Sequence, residues 1–503
     1  MKLDYKRTIF VGMAFFLISA FWQAYDAIVP LILTNHFGLP QSISGVVMSA
    51  DNILAVFMLP IFGALSDRVS TRFGKRTPFI FIGTIAAVVT FTLLIVIDTV
   101  QLRSVLEMGI AERYQEATLL LKEANKALQA AGKAGDKQAL LAAQASLDTI
   151  NETIEQIRVE TLNLTLSNLW PVISFVGVLL LVLISMATFR SPAVALMPDV
   201  TVKPLRSKAN AIINLTGTAG GILVLVLGMI FDTSGNKYMQ YTWYVVAVCA
   251  IMISGLCVFL LTVREPKWAA EMEAETERLS GEGVIVTEEP TAQQTEKRSL
   301  TREEFRSLLL ILASVALWYI GYNSITSKYS VYASNVLHFD YNATLIIAQA
   351  AAIVSYIPVG MLASKIGRRR SILIGVAMLA TAFLSATFIS SSTSPVFMYI
   401  VFVLAGIGWA TINVNSFPMV VELASGGDVG KYTGYYYTAS MSAQIVTPIL
   451  SGFLVERVFG WGIFVPYAAF FVACSFVTMY FVKFGDAKPE SKSALEALGG
   501  ADD

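Results

Sequence analysis

The sequence predicts an all-α membrane protein with twelve spanning helices in two six-helix bundles and a helical insertion outside the membrane. Three observations carry this reading. First, the 503 residues are 55% hydrophobic and only 14% charged, and mean hydropathy is +0.64. A soluble globular chain carries about 25% charge. Second, twelve apolar runs are each long enough to cross a bilayer core, which takes roughly 20 helical residues. Third, a long polar segment separates the first six runs from the last six. The 36 basic and 36 acidic residues cancel, so no net field draws nucleic acid or another polyanion. The composition also excludes an ordinary cytosolic enzyme and a disordered chain.

The runs lie near 8–34, 42–65, 78–98, 169–197, 208–231, 241–263, 306–330, 342–363, 371–391, 395–417, 432–455 and 462–483. Backbone groups in lipid must be bonded internally, so each run is expected as a helix. The first run is too long for a cleavable leader, and it holds Trp22, Gln23 and Asp26. Lys and Arg concentrate in cytoplasmic loops. With the N-terminus inside, that side gains Lys2, Lys6 and Arg7; Arg68, Arg72, Lys75 and Arg76; Lys203, Arg206 and Lys208; and Lys365 and Arg368 to Arg370. Both termini are therefore expected in the cytoplasm. With no targeting extension in view, a bacterial inner (plasma) membrane is the expected location.

The bundles are expected over 1–263 and 306–485, with a cytoplasmic tail over 486–503. Residues 99–168 fall outside and read as a helical hairpin: helical spacing over 106–130, then Gly132 and Gly135, then helical spacing over 137–163. Two readings stand for it, a solvated insertion without a role and a substrate-capturing lid or docking arm. Residues 264–305 read as a cytoplasmic linker with an amphipathic stretch and a polar run over 282–297. The halves carry a weak internal repeat. Gly63-Ala-Leu-Ser-Asp67-Arg68 follows the second run, and Gly360-Met-Leu-Ala-Ser364-Lys365 follows the eighth. Ser364 in place of the acid suggests an asymmetric gate.

Gly63 to Arg68, followed by Arg72-Phe-Gly74-Lys75-Arg76, resembles the signature loop of the major facilitator superfamily. The stretch from Ser66 to Ile80 resembles the version in sucrose/proton symporters of plants and their animal and bacterial relatives. So does Ser191-Pro192-Ala-Val-Ala195-Leu196-Met-Pro-Asp199 with Arg206 and Ala209-Asn210-Ala211. The related glycoside–pentoside–hexuronide cation symporters share the Pro60…Gly63 frame and bind sodium through paired aspartates before that proline. Ala55 and Leu59 stand there instead, so protons are expected rather than sodium. The resemblance implies that Asp67 faces a helix N-terminus in its own half. It also implies that Arg68, Arg72, Lys75 and Arg76 can pair with acids such as Asp199 to hold a cytoplasmic gate shut. Asp67 and Arg68 are the expected gating pair, and Arg76 is read as a topology signal.

An ionisable side chain in hydrocarbon costs at least about 2.5–3.5 kcal/mol, so each one is a site candidate. The first run holds Asp26, the second Asp51 and Asn52, and the fourth Arg190 near its end, just before Pro192. His36 and His338 are read as outer-loop residues, so a carboxylate must carry any coupled proton. Asp51 and Asp26 are the proton-coupling candidates and Arg190 their counter-charge; the alternative is that the acids only bond helices together. A sugar needs flat aromatic faces and polar partners for its hydroxyls. Trp22, Gln23, Asn52, Asn214, Tyr322, Asn323, Trp409 and Asn413 are the substrate-binding candidates, with Gln349 and Tyr356 beside them. Gly217, Gly220 and Gly221 read as close helix packing.

Cys249, Cys257 and Cys474 lie in apolar runs and fit no metal spacing. No nucleotide fingerprint occurs, so neither a cofactor nor ATP-driven pumping is expected. The expected protein is a monomeric, proton-driven symporter of a neutral sugar, a disaccharide such as sucrose or maltose, working by alternating access in a lipid bilayer. A proton-driven exporter of small drugs or metabolites stays open, as does a non-transporting receptor or scaffold that uses the hairpin.

Overall fold

The apolar runs become helices that keep their hydrogen bonds within the segment, as lipid requires. The structure is a computed structural model and describes residues 3–134, 136–202, 205–281, 301–390, 393–421, 423 and 429–484. The polar run 282–297 and the tail 486–503 lie outside them, as do Lys203 and the Ser364 side chain.

The first half begins with α1 (Tyr5–Leu31), which continues as a π turn, Ile32–His36. Its Asp4 cap accepts from the Arg7 backbone N–H. Then come α2 (Gln41–Arg68) and α3 (Thr77–Glu107), followed by the hairpin α4 (Ile110–Ala134) and α5 (Lys137–Ser167). α6 (Trp170–Val200), α7 (Arg206–Ile230) and α8 (Thr242–Thr262) complete the half, and α9 (Glu265–Gly281) follows. The second half starts at α10 (Arg302–Tyr332), where Thr301 and Glu304 cap each other's backbone. α10 also continues as a π turn, Ala333–Leu337. α11 (Tyr341–Ile366), α12 (Arg368–Ala386), α13 (Pro395–Val421), α14 (Val429–Leu454) and α15 (Phe464–Tyr480) follow.

Ten described stretches are long and apolar enough to cross a membrane. One of them, Gly434–Tyr480, holds most of α14 and all of α15, and α11 adds the shorter apolar stretch Tyr341–Tyr356. The twelve expected spans thus all occur as helices. Two boundaries differ from expectation. α3 runs on through the start of the expected insertion and breaks only at Met108 and Gly109, where Gly109 takes φ +65°. The linker opens as the ordered helix α9, packed on α6.

The pairing of helices repeats between the halves. α1 packs on α7 and α8, α3 on α6 and α8, and α2 on α6. In the same pattern α10 packs on α14 and α15, α12 on α13 and α15, and α11 on α13. Across the halves α2 meets α14, α7 meets α11, and α1 meets α10. The hairpin-side corners match as well. Asn35 and Asn335 each sit in a π turn, and Gly38 and His338 each take a left-handed backbone, at φ +64° and +56°. Gly217 and Gly220 of α7 pack closely as expected, whereas Gly221 faces the cavity between the halves with ordinary clearance. A Cβ on Gly220 would lie 2.6 Å from the Phe16 carbonyl, and one on Gly217 would lie 3.1 Å from Ser19 Oγ. Small residues let α1 and α7 touch along their backbones.

Candidate functional site

A cavity of about 530 Å³ lies between the halves. α1 contributes Trp22, Gln23 and Asp26 to its wall, and α7 adds Thr218 and Gly221. The second half contributes Tyr322 and Tyr329 from α10, Gln349 and Tyr356 from α11, and Trp409 from α13. Gln349 Nε2 donates to Gln23 Oε1 at 2.7 Å, so two amides join the halves across the cavity. The Trp22 indole N–H and Gln349 Oε1 are buried with no partner among the described residues. One is a donor and the other an acceptor, which together suit a ligand hydroxyl.

Trp22 also receives the Arg190 guanidinium, 5.7 Å from its ring centroid. Arg190 lies within electrostatic reach of Asp51, and Asp51 within reach of Asp26. The three charged candidates therefore form one cluster on α1, α2 and α6. Asp26 is exposed in the cavity wall, whereas Asp51 and Arg190 are half-buried and do not line it. Asn52 donates to Asp51 at 2.8 Å, so it serves the acid rather than the cavity. Arg190 does not end its helix, because α6 continues through Pro192 and Pro198.

The second half uses the same helix pair differently. Tyr322 stacks on Trp409 with centroids 3.5 Å apart and planes within 3°, and Tyr319 meets Trp409 edge-on at 5.4 Å. Trp22 and Tyr322 occupy matching places on α1 and α10. One faces a guanidinium and the other an indole. Four expected binding residues lie outside this wall: Asn52, Asn214, Asn323 and Asn413. The Asn323 amide donates to its own helix at the Tyr319 carbonyl, and Asn214 is buried.

The loop from Gly63 to Lys75 closes the opposite face of the first half around Arg76. Its Nε donates to Asp199 at 2.7 Å, Nη2 to Asp67 at 2.5 Å, and Nη1 to Ser66 Oγ. Burial pulls down the Arg76 affinity for its proton, but Asp199 and Asp67 outweigh that and hold it above its ordinary value. This corrects two expectations. Arg76, read as a topology signal, is the hub of the loop. Asp67 bonds this arginine rather than a helix N-terminus. The acid that caps α3 is Glu265 of α9, which accepts from the backbone N–H groups of Lys75, Arg76 and Thr77 at 2.6–2.8 Å. Gly74, at φ +111°, gives Glu265 its room. Arg68 and Lys75 are exposed, and Arg72 stacks on Phe73. Arg206 donates to the Thr201 and Pro198 carbonyls and so ties off the end of α6.

On the hairpin side, bonds join the halves directly. Asn335 donates to Asn35 at 2.7 Å, Lys328 to the Gln41 carbonyl at 3.0 Å, and Ser42 N–H to Glu456 at 3.0 Å. Thr233 bonds Tyr341 and Asn342, and Ser234 donates to Asp340. On the far side, Arg7 bonds Glu271 and Trp268 of α9, and Arg369 bonds the α15 carbonyls of its own half. The two bundles are thus seamed shut on the hairpin face. His36, expected in an outer loop, is instead part of a helix. It closes the α1 π turn, fully buried, with Nδ1 2.6 Å from Asp98 Oδ1 and its ring stacked on Tyr241.

The comparisons agree with this architecture. The Major Facilitator Superfamily model matches residues 161–439 and 345–500, and the MFS/sugar transport protein model matches residues 10–103. The chain belongs to the major facilitator superfamily; it is a multi-pass membrane transporter of a small molecule, not an enzyme. Proton-associated sugar transporter A of Homo sapiens is 33% identical over 92 residues, and that of Mus musculus 34% over the same length. Each match covers 18% of this chain and 12% of the relative. The inward open xylose transporter XylE from E. coli superposes with TM-score 0.59 at 14% identity, covering 97% of this chain and 98% of that one. A bacterial homologue of the iron transporter ferroportin, in its inward-facing state, gives 0.57 at 12% identity, covering 95% and 99%. These low identities speak to the fold alone.

Proposed function

We propose that the protein is a proton-coupled symporter of a neutral sugar, most simply a disaccharide. The observation that carries this is the cavity between the halves. It places aromatic faces, paired amides and an exposed carboxylate together where both halves can close on a ligand. Its volume falls within the usual range for small-molecule sites, about 300–1,000 Å³. The matched sugar-transport model and the proton-associated sugar transporter relatives support the same reading. The Asp26–Asp51–Arg190 cluster is the coupling site: a carboxylate gains or loses its proton as the arginine and water exchange around it. The hairpin face is external and both termini are cytoplasmic, following the basic residues. The apolar wall residues, Ile18, Leu345, Phe383 and Met398 among them, favour the second reading, a proton-driven exporter of small drugs or metabolites.

Uptake of labelled sucrose and maltose into proteoliposomes, with and without an inward proton gradient, decides between these. Gradient-driven accumulation that is lost in Asp51→Asn supports symport. No uptake of either sugar under any gradient overturns the disaccharide reading.

A further inference from the structure

The hairpin of α4 and α5 is unaccounted for by a transport cycle run in the two bundles. Its second helix lies directly on the corner between α1 and α2. A Cβ on Gly38 would come within 2.6 Å of the Leu162 backbone nitrogen and 3.1 Å of the Arg158 carbonyl. The matching corner of the other half tolerates His338 in the same left-handed backbone. Glycine at position 38 therefore answers to the hairpin's approach and not to the φ angle alone. Polar bonds pin the contact. Thr165 donates to the Phe37 carbonyl at 2.9 Å, and Gln101 bonds both Thr165 and the His36 carbonyl.

The hairpin grips a second loop of the same half. Tyr114 meets Tyr238 edge-on at 5.6 Å, Thr161 bonds the Tyr238 hydroxyl, and the Lys237 ammonium lies 4.4 Å from the Tyr114 ring centroid. These two gripped stretches carry the first-half side of the seam. Asn35, Gln41 and Ser42 flank the Gly38 corner, and Thr233 and Ser234 precede Tyr238. The seam's acid from the other half, Glu456, accepts from Ser42 and lies within electrostatic reach of Lys328. Arg158 pairs with Glu155 on the hairpin and donates to the Gly38 carbonyl at 3.5 Å.

We propose that the hairpin is a working part of the gate on its own face: it holds both first-half jaws where the second half closes on them, and Arg158 ties α5 to the Gly38 corner. The positioning residues are Gly38, Arg158 and Tyr238. In this arrangement the hairpin favours the state closed on that face and sets how often the cavity opens there.

The test needs no substrate, so failure of the sugar reading leaves it intact. A single cysteine replaces Ala352 in the cavity wall, with Cys249, Cys257 and Cys474 changed to serine. Its labelling by a membrane-impermeant maleimide, added on the hairpin side, reports opening of that face. A separate Lys126→Cys, exposed on the hairpin, reports which side that is, so a wrong orientation is recognised independently. Gly38→Ala and Arg158→Ala are expected to raise the labelling rate roughly threefold, a shift of the size one lost contact produces. Arg158 is partly exposed, so its variant folds even if Gly38→Ala does not. Glu456→Gln is expected to raise the rate as well. A wild-type rate in Arg158→Ala, and in Gly38→Ala where it folds, beside a raised rate in Glu456→Gln overturns the proposal. Wild-type rates in all three overturn it too, because the seam then does not gate the cavity.

Discussion

Arg76 shows how much one residue's partners decide. Three neighbouring basic residues share its loop, yet only Arg76 is buried, and only it reaches Asp67, Asp199 and Ser66 together. A guanidinium offers several donors in a fixed plane, whereas an ammonium is one point. Arg76→Lys is expected to lose two of the three contacts and about 1–3 kcal/mol of local stability, read as a lower melting temperature in detergent, while Arg68→Lys leaves it unchanged. Lys237 carries the pH dependence. It lies outside the spans, and burial, then the nearby Arg158, push its ammonium from 10.5 down to about 8 against the pull of Glu155. The unfolded chain takes up this proton near 10.5 and the folded chain near 8, so stability falls as pH falls through that window. Melting temperature is expected to rise between about pH 8 and 10.5 in the wild type, and Lys237→Met is expected to flatten that rise. Much at this scale was legible in sequence. Trp22, Gln23, Asp26, Tyr322 and Trp409 stand out as polar or aromatic residues within apolar runs, and all line the cavity. The Gln23–Gln349 bond was not legible, because pairing across halves depends on packing that spacing does not encode. Nor was Glu265, which lies past the last apolar residue of α8, in what reads as linker.

At the scale of helices, membrane composition makes spans easy to read and their ends hard. Hydropathy marks where a helix leaves lipid, not where it stops. α3 therefore runs past its apolar run to Gly109, where φ turns positive. The π turns after α1 and α10 have no signature in the residues, yet they set the corners that meet between the halves. Close packing was better encoded, since glycines recur along α7. Gly220→Ala is expected to push α7 from α1, because its new Cβ meets a backbone carbonyl that cannot swing away. Overpacking of this kind costs about 1–3 kcal/mol, so lower yield and slower transport are expected. Gly177→Ala is the control, because a Cβ there meets nothing within 4 Å.

At the scale of the molecule, the repeated pairing of helices makes the two bundles interchangeable in plan but not in dress. Only the first half bears the hairpin, and all of the hairpin's direct bonds described above go to that half. It is therefore expected to travel with that bundle in the proposed transport cycle. A helix of 25 residues is about 37 Å long. A domain rotation of about 15° would sweep its far end by about 10 Å, more than any helix end near the seam moves. A fluorophore pair with one dye near Lys137 at the tip and the other near His338 should therefore report each turnover as a change in energy transfer, and a static signal under an imposed gradient would count against rigid attachment. The hairpin is in effect a pointer fixed to one bundle. In the proposed cycle it would convert a small rocking inside the bilayer into a displacement large enough to be watched, or arrested by a binding protein, from the aqueous side.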